Sequence, residues 1–378
     1  MREVVYPLYS VLMRRGLVEI TRQEIQRRLP NKGKFEIVAQ EPERVLIRYS
    51  GDPRDLLSLR SAEQVFLVVK DLPKMTRSRR SLTALEKSLG RIDFQPCFDI
   101  CRRVGIRVRK RVTFCVRSRM VGLRNFRRAD LQRGVERALM TYGWRLTEEK
   151  PALEIWVEAD ETRVTISIKL SSSEMARRNY KRADFAASLR PTVAYCLVQL
   201  SDPQPEDIFV DPMCRDGTIL IERAHSGRYR CLLGGDISPE AVEAAQTNIG
   251  RKHQPLQLFH WNPWTLPFDR RSVDKIVCSL PSGEKDADES EVAELYWEFL
   301  TECERAIKPT GRIVLLTTHR FILDSLLKAL PAFTTKQRFK IDLRTRKPWV
   351  YVCVPTPDRS RDNRLRSSFS SVGGLTNH

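Results

Sequence analysis

The stretch Ile208-Phe209-Val210-Asp211-Pro212-Met213-Cys214-Arg215-Asp216-Gly217-Thr218-Ile219-Leu220-Ile221-Glu222 decides the fold. A short apolar run ends in an acid, a tight turn carries a glycine and a threonine, and an apolar-periodic segment follows: strand, turn, helix. In an open α/β sheet, ligands bind at the carboxyl ends of such strands, over the start of the next helix. Downstream the same alternation continues. Strands are expected at Ile208–Asp211, Cys231–Asp236, Leu256–His260, Lys275–Leu280 and Arg312–Thr317, with helices at Gly217–Ala224, Pro239–Ile249, Ser290–Ile307 and Phe321–Leu330. This predicts a doubly wound, Rossmann-like parallel sheet. Two closing strands, Lys336–Leu343 and Trp349–Val354, are separated only by a short basic turn, so they must form an antiparallel hairpin. Upstream, Pro191 opens a helix in its first turn, running to about Leu200.

Four strand ends line up in this reading: Asp211, Asp236, Trp261-Asn262-Pro263 and Ser279-Leu280-Pro281-Ser282-Gly283. A carboxylate at the second strand end is placed to accept hydrogen bonds from ribose hydroxyls, which implies an adenosine-bearing cofactor. The turn lacks the G-x-G-x-x-G of dinucleotide folds and the Gly-Lys-Ser/Thr of a P-loop. Asp211 would repel a pyrophosphate and suits a cationic cofactor such as a sulfonium; the closing hairpin points the same way.

The 378 residues carry 66 Lys and Arg against 47 Asp and Glu, a net charge of +19. Such a field attracts a polyanion, most plausibly a nucleic acid. The bias is sharpest from Cys101 to Arg128, which holds Lys and Arg but no acid, where an ordinary surface would mix both signs. Arg102, Arg103, Arg107, Arg109, Lys110 and Arg111, with Arg177, Arg178, Lys181 and Arg182 further on, are the expected nucleic-acid contacts. No apolar run is long enough for a transmembrane helix, and no apolar signal core follows Met1. The nine cysteines are scattered without a CxxC pair, which points to reduced thiols in a cytoplasm and to no metal site. Oligomeric state is left open.

Residues 1–72 read as a small α/β unit. A helix is expected within Val11–Leu29, with a capping box at Thr21 and Glu24. Two strands are expected in Glu36–Tyr49 and one at Val65–Val69. A helix within Lys74–Arg91, a strand at Arg111–Arg117, a helix from Asp130 (as N-cap) to Tyr142, and strands at Leu153–Glu158 and Arg163–Ile168 follow. Residues 171–187 read as a basic linker and 358–378 as a disordered basic tail.

With these residues in place, the chain resembles the THUMP-containing, S-adenosylmethionine-dependent guanine-N2 RNA methyltransferases, which act on tRNA, with relatives acting on ribosomal RNA. The resemblance rests on Asp211-Pro212-Met213-Cys214, Gly217-Thr218 and the following helix, on Ser188-Leu189-Arg190-Pro191-Thr192, and less specifically on Leu59–Val65 and the strands to Ile168. It implies a ferredoxin-like region at 1–72, a THUMP RNA-binding domain at 73–170 and a class I methyltransferase domain at 188–357. It further implies that Asp211, Met213, Cys214, Gly217 and Thr218 cradle the methionine end of S-adenosylmethionine, that Asp236 holds its ribose, and that Ile237 and Asn262 border its adenine. Ser279, Leu280 and Pro281 would present the guanine amine. The chain departs from the family at Arg215-Asp216, where small residues are usual and a large arginine is expected to point away from the cofactor. It departs again at Ser279 and Ser282, where the family has Asn or Asp and an aromatic residue. Two rival readings stay open: a weakly active or inactive RNA-binding protein on a methyltransferase fold, and an rRNA or DNA amino-methyltransferase.

Overall fold

Strand pairing and contacts divide the chain, seen in a computed structural model, into two units, Met1–Asn179 and Tyr180–His378. The described residues are 6–73, 78–160, 163–183, 185, 188–281, 289–343 and 345–357. The expected tail, 358–378, and Ser282 with Gly283 of the fourth strand end lie outside them.

The first unit runs β1 (Leu8–Leu12), α1 (Val18–Arg28), β2 (Phe35–Glu41), β3 (Arg44–Tyr49), α2 (Pro53–Leu57), β4 (Gln64–Leu72), α3 (Arg80–Leu89), α4 (Gln95–Arg103), β5 (Thr113–Met120), α5 (Arg128–Met140), β6 (Arg145–Leu146), β7 (Leu153–Ala159), β8 (Val164–Lys169) and α6 (Glu174–Arg177). Its strands form one sheet in the order β2-β3-β1-β4-β8-β7-β5-β6. β4 is a β-branched and aromatic run suited to a buried pleat. It pairs antiparallel with β1 on one side and β8 on the other, so segments 1–72 and 73–170 share a sheet and a core.

Three local expectations are corrected here. Val11 and Leu12 belong to β1, not to a helix: Val11 pairs with Val45 and Val65 and is buried, and Gly16, at φ 96°, separates the strand from α1. Thr21 and Glu24 do not cap α1. Glu24 is buried and accepts from the Arg60 and Ser61 amides and the Ser61 hydroxyl, tying the helix to the segment before β4. Asp130 is not the N-cap of α5. It sits inside the first turn and its Oδ2 accepts from the Arg127 amide at 2.9 Å.

The second unit runs α7 (Pro191–Leu200), β9 (Ile208–Asp211), α8 (Thr218–Ala224), β10 (Cys231–Asp236), α9 (Pro239–Ile249), β11 (Leu256–His260), β12 (Val273–Ser279), α10 (Glu289–Ala306), β13 (Ile307–Thr317), α11 (Arg320–Ala329), β14 (Phe333–Lys340) and β15 (Trp349–Pro355). The sheet order is β11-β10-β9-β12-β13-β15-β14. β11 to β13 are parallel, and β15 is antiparallel to both β13 and β14, as the short turn requires. The chain winds outward from β9 to β11, then returns to start again at β12. The winding therefore reverses between β9 and β12, and a crevice opens there at the carboxyl ends of the strands.

Candidate active site

Asp211 closes β9, 1% exposed, in register with Gly234 of β10. Burial pushes its carboxyl well above the ordinary carboxylate value and the nearby Asp236 adds to the rise, while the Met213 amide and the Arg215 charge oppose it. Its Oδ1 has no hydrogen-bond partner among the described residues. The turn after it is pinned by the Cys214 amide on the Gly235 carbonyl and the Gly217 amide on the Cys214 carbonyl. Gly217 sits at φ 75°, and an added Cβ would meet Ile249 Cδ1 at 3.0 Å. Both the angle and the space require glycine. Asp216 is buried too: its Oδ1 accepts from the Thr218 hydroxyl at 2.7 Å and its Oδ2 pairs with Lys181 Nζ at 2.7 Å. The Thr218 hydroxyl therefore serves the turn itself. Burial raises the Cys214 and Cys278 thiols well above the usual range, which makes them apolar packing groups and not nucleophiles.

Asp236 closes β10. Its Oδ2 accepts from the Arg215 amide at 2.9 Å and its Oδ1 from the Ser238 amide at 3.1 Å, which fixes the carboxylate with further lone pairs to offer. Behind it, the Trp261 indole donates to the Pro212 carbonyl at 3.0 Å and stacks on Phe259. A Cβ on Gly235 would land 2.3 Å from that indole. Trp261 is thus a buried brace for two strand ends and not a free stacking face. Ile237, next to Asp236 in the chain, is 53% exposed, and Phe259, opposite Gly235, 38%. Asn262 is exposed and spends its Oδ1 on the Trp264 amide at 3.0 Å.

The fourth strand end is held from β13. The Leu280 amide donates to the Leu316 carbonyl, and the Tyr296 hydroxyl bridges the Pro281 carbonyl at 2.7 Å and the Thr317 hydroxyl at 2.9 Å. A small cavity of about 20 Å³ opens here, lined by Arg215, Ser279, Leu280, Thr317, Leu343 and Arg346 among others. Arg215, at φ 49°, lines this cavity together with Ser279. Arg346 comes from the turn between β14 and β15, an element that no motif pointed to. Its sequence signal is only the run of basic residues in that turn.

Of the expected nucleic-acid contacts, Arg102, Arg103, Arg107, Arg109, Lys110 and Arg111 are all exposed, on the end of α4 and the segment leading to β5. Arg177 and Arg182 are exposed, while Arg178 is half-buried and donates to the Arg60 carbonyl. Lys181 departs from expectation: its side chain is 8% exposed and bound to Asp216, so its charge is used inside the fold. Within the expected linker, the Arg182 and Ala183 amides both donate to Asn248 Oδ1.

A parallel sheet whose reversal point carries an acid at two adjacent strand ends and a hydrogen-bond acceptor at the next defines a methyltransferase-type domain. Residues 178–347 match the model of the family UPF0020 (RMKL-like, methyltransferase domain). A mouse tRNA (guanine(6)-N(2))-methyltransferase, THUMP3, is 32% identical over 203 residues, 50% of this chain and 40% of its own length. The Thermus thermophilus tRNA (guanine(6)-N2)-methyltransferase is 26% identical over 243 residues, 64% of this chain and 72% of its own. The crystal structure of TrmN from Thermus thermophilus shares the fold with a TM-score of 0.79 at 24% identity, covering 93% of this chain and 100% of that one. The chain thus spans well under two thirds of the length of the mouse relative.

Proposed function

We propose that this chain transfers a methyl group from S-adenosylmethionine to the N2 amine of a guanine in RNA, with tRNA as the first substrate to test. The observation that carries the reading is the Asp211 Oδ1, without a hydrogen-bond partner among the described residues and buried at the reversal point one strand away from Asp236 and Ser279. A buried acceptor without a donor costs free energy until a ligand supplies one, and the ammonium of a methionine moiety is such a donor.

The residues present fit the cofactor. Asp211 would hold the methionine end over the turn Met213–Thr218, Asp236 would accept from the ribose hydroxyls, and Ile237, Phe259 and Asn262 would border the adenine. When bound, S-adenosylmethionine supplies an electrophilic methyl on a sulfonium. The chain's own task is to orient the amine: the Ser279 hydroxyl oxygen and the Leu280 carbonyl accept its hydrogens, so that its lone pair faces the methyl. The amine sheds a proton to solvent after transfer, and no strong base is needed beforehand. The exposed cations of residues 102–111, with Arg177 and Arg182, would grip the RNA backbone. A THUMP-type role for the first unit agrees with that charge. Nine unpaired cysteines suit a reducing, cytoplasmic setting. Among the described residues no helix is long and apolar enough to cross a membrane.

Ser279 and the cavity-lining Arg215 favour one second reading, an RNA-binding protein that has lost transfer. Incubating the chain with labelled S-adenosylmethionine and total tRNA, then analysing nucleosides, separates the two. N2-methylguanosine supports the proposal. Intact tRNA binding with no incorporation at high enzyme supports the second reading. Better incorporation into rRNA or duplex DNA would redirect the substrate class.

A further inference from the structure

Among the described residues of the second unit, two exposed aromatic side chains stand on helices: Trp297 of α10 and Phe321 of α11. Their surroundings differ in sign. Trp297 lies one turn from exposed Glu294 and next to exposed Glu298. Phe321 lies next to Arg320, whose guanidinium sits 5.5 Å from the Phe321 ring centroid and 4.3 Å from that of Trp349. Arg338 approaches the Trp349 ring as well, at 5.7 Å. Both arginines pair with one acid, Asp324, at 3.2 and 2.7 Å, so the trio keeps a surplus positive charge. Rings and guanidinium planes thus alternate across α11, β15 and β14, with Phe321 outermost at 79% exposed. Packing does not call for this ring. Leu323, Leu326 and Leu327 carry the face of α11 that meets the core, while Ser325 and Lys328, on the Phe321 side, are exposed.

The array begins at the cavity beside Ser279. Thr318 and Pro348 both line that cavity. Phe321 follows the first by three residues, and Trp349 follows the second directly. Ser279 is in register with Leu316 on β13, and Leu316 with Val350 on β15, next to Trp349. Trp349 is therefore two strands from Ser279, about 10 Å at the usual strand spacing. That is beyond the span of a base held at Ser279 and within reach of the next nucleotide in the same strand.

We propose that Phe321, backed by Arg320 and Trp349, is a stacking platform for the base that flanks the target nucleotide in the RNA strand. The proposal rests on the RNA reading above. Every base has a π face, so an exposed ring adds affinity without reading sequence. Arg320 holds the ring by a cation–π contact, and the surplus charge of the trio suits the phosphate that joins the two nucleotides.

The test uses the full chain and total tRNA. Binding is measured across a salt series without cofactor, and single-turnover methylation at saturating tRNA. Phe321→Ala is expected to weaken binding about tenfold, the order of one lost base–aromatic stack. The slope of log K against log salt should stay as it is, since no phosphate contact is removed. Phe321→Tyr should keep the affinity, while Phe321→Leu, apolar but without a π face, should lose it as the alanine variant does. Trp297→Ala should bind as the wild type does. Phe321 is exposed, so the F321A chain should melt with the wild type, and its rate at saturating tRNA should be unchanged. Full affinity in F321A or in F321L overturns the platform, and a change in F321A sedimentation would then give the ring to a contact between copies. An equal loss in W297A overturns it too. A slower rate at saturation would place the target base itself on Phe321 and overturn the flanking assignment. The underlying reading fails separately, if the wild-type chain neither binds tRNA in a salt-dependent way nor methylates it.

Discussion

Asp211 is a carboxyl buried at the end of a central strand, protonated more readily in the folded chain than in the unfolded one. An acid whose folded value is raised stabilises the fold fully below its unfolded value of about 4. That contribution is lost as pH rises through the folded value. Asp211→Asn keeps the shape and an acceptor for the Met213 amide but removes the titration. Its melting temperature is expected to equal or exceed that of the wild type at pH 7.5, with the difference shrinking as pH falls towards 4. Cofactor binding by calorimetry should meanwhile weaken about tenfold or more, the order expected for a lost hydrogen bond to a charged group. At the other side of the crevice, Ser279→Ala removes a side-chain acceptor and is expected to lower kcat by about 10²-fold. Ser279→Asn, with a longer reach and a stronger dipole, should raise it. Single-turnover methylation of total tRNA reads both, and an S279A chain as fast as wild type would remove Ser279 from amine presentation.

At the level of elements, the site depends on how β9, β10 and the segment after β11 are braced against one another. The Trp261 indole reaches across to the Pro212 carbonyl over a glycine surface on β10. Gly235→Ala forces a methyl into that indole and is expected to cost about 1–3 kcal/mol, read as a lower denaturation midpoint with little change in m. These strands were legible because each is a short apolar run closed by an acid or a turn residue, and the periods of strand and helix differ. Val11–Leu12 was not legible, since an apolar pair beside a helical pattern takes strand form only through partners at Val45 and Val65, distant in sequence. Lys181 and Glu24 failed for a related reason. Lys181 was expected on the surface and Glu24 in a cap, but each is drawn inward by a specific partner set, Asp216 for one and the Arg60–Ser61 amides for the other. Arg346 went unnoticed because a basic turn between strands is ordinary until its neighbour across the cavity is known.

Over the whole molecule the positive charge is uneven. Residues 1–179 hold 38 Lys and Arg against 22 Asp and Glu, a net +16, leaving +3 for the rest. The first unit also has its own core and a sheet built only from its own strands. Expressed alone, it is expected to unfold cooperatively and to keep most of the salt-dependent tRNA affinity, checked by thermal melting and filter binding. A fragment that melts without a transition, or that ignores tRNA at low salt, would show that the charge does not act through this unit.

The pairing of β4 with β8 carries a consequence for the order of events during synthesis. β4 holds Val65, Phe66 and Leu67, and one of its edges has no partner until β8, residues Val164–Lys169, has been made. For that interval the nascent chain presents an apolar strand with open hydrogen-bonding groups, the kind of edge that recruits other chains. A ribosome that stalls between the two strands would release a product prone to aggregate, so the vulnerable period of this protein's life is set by the time taken to translate from β4 to β8.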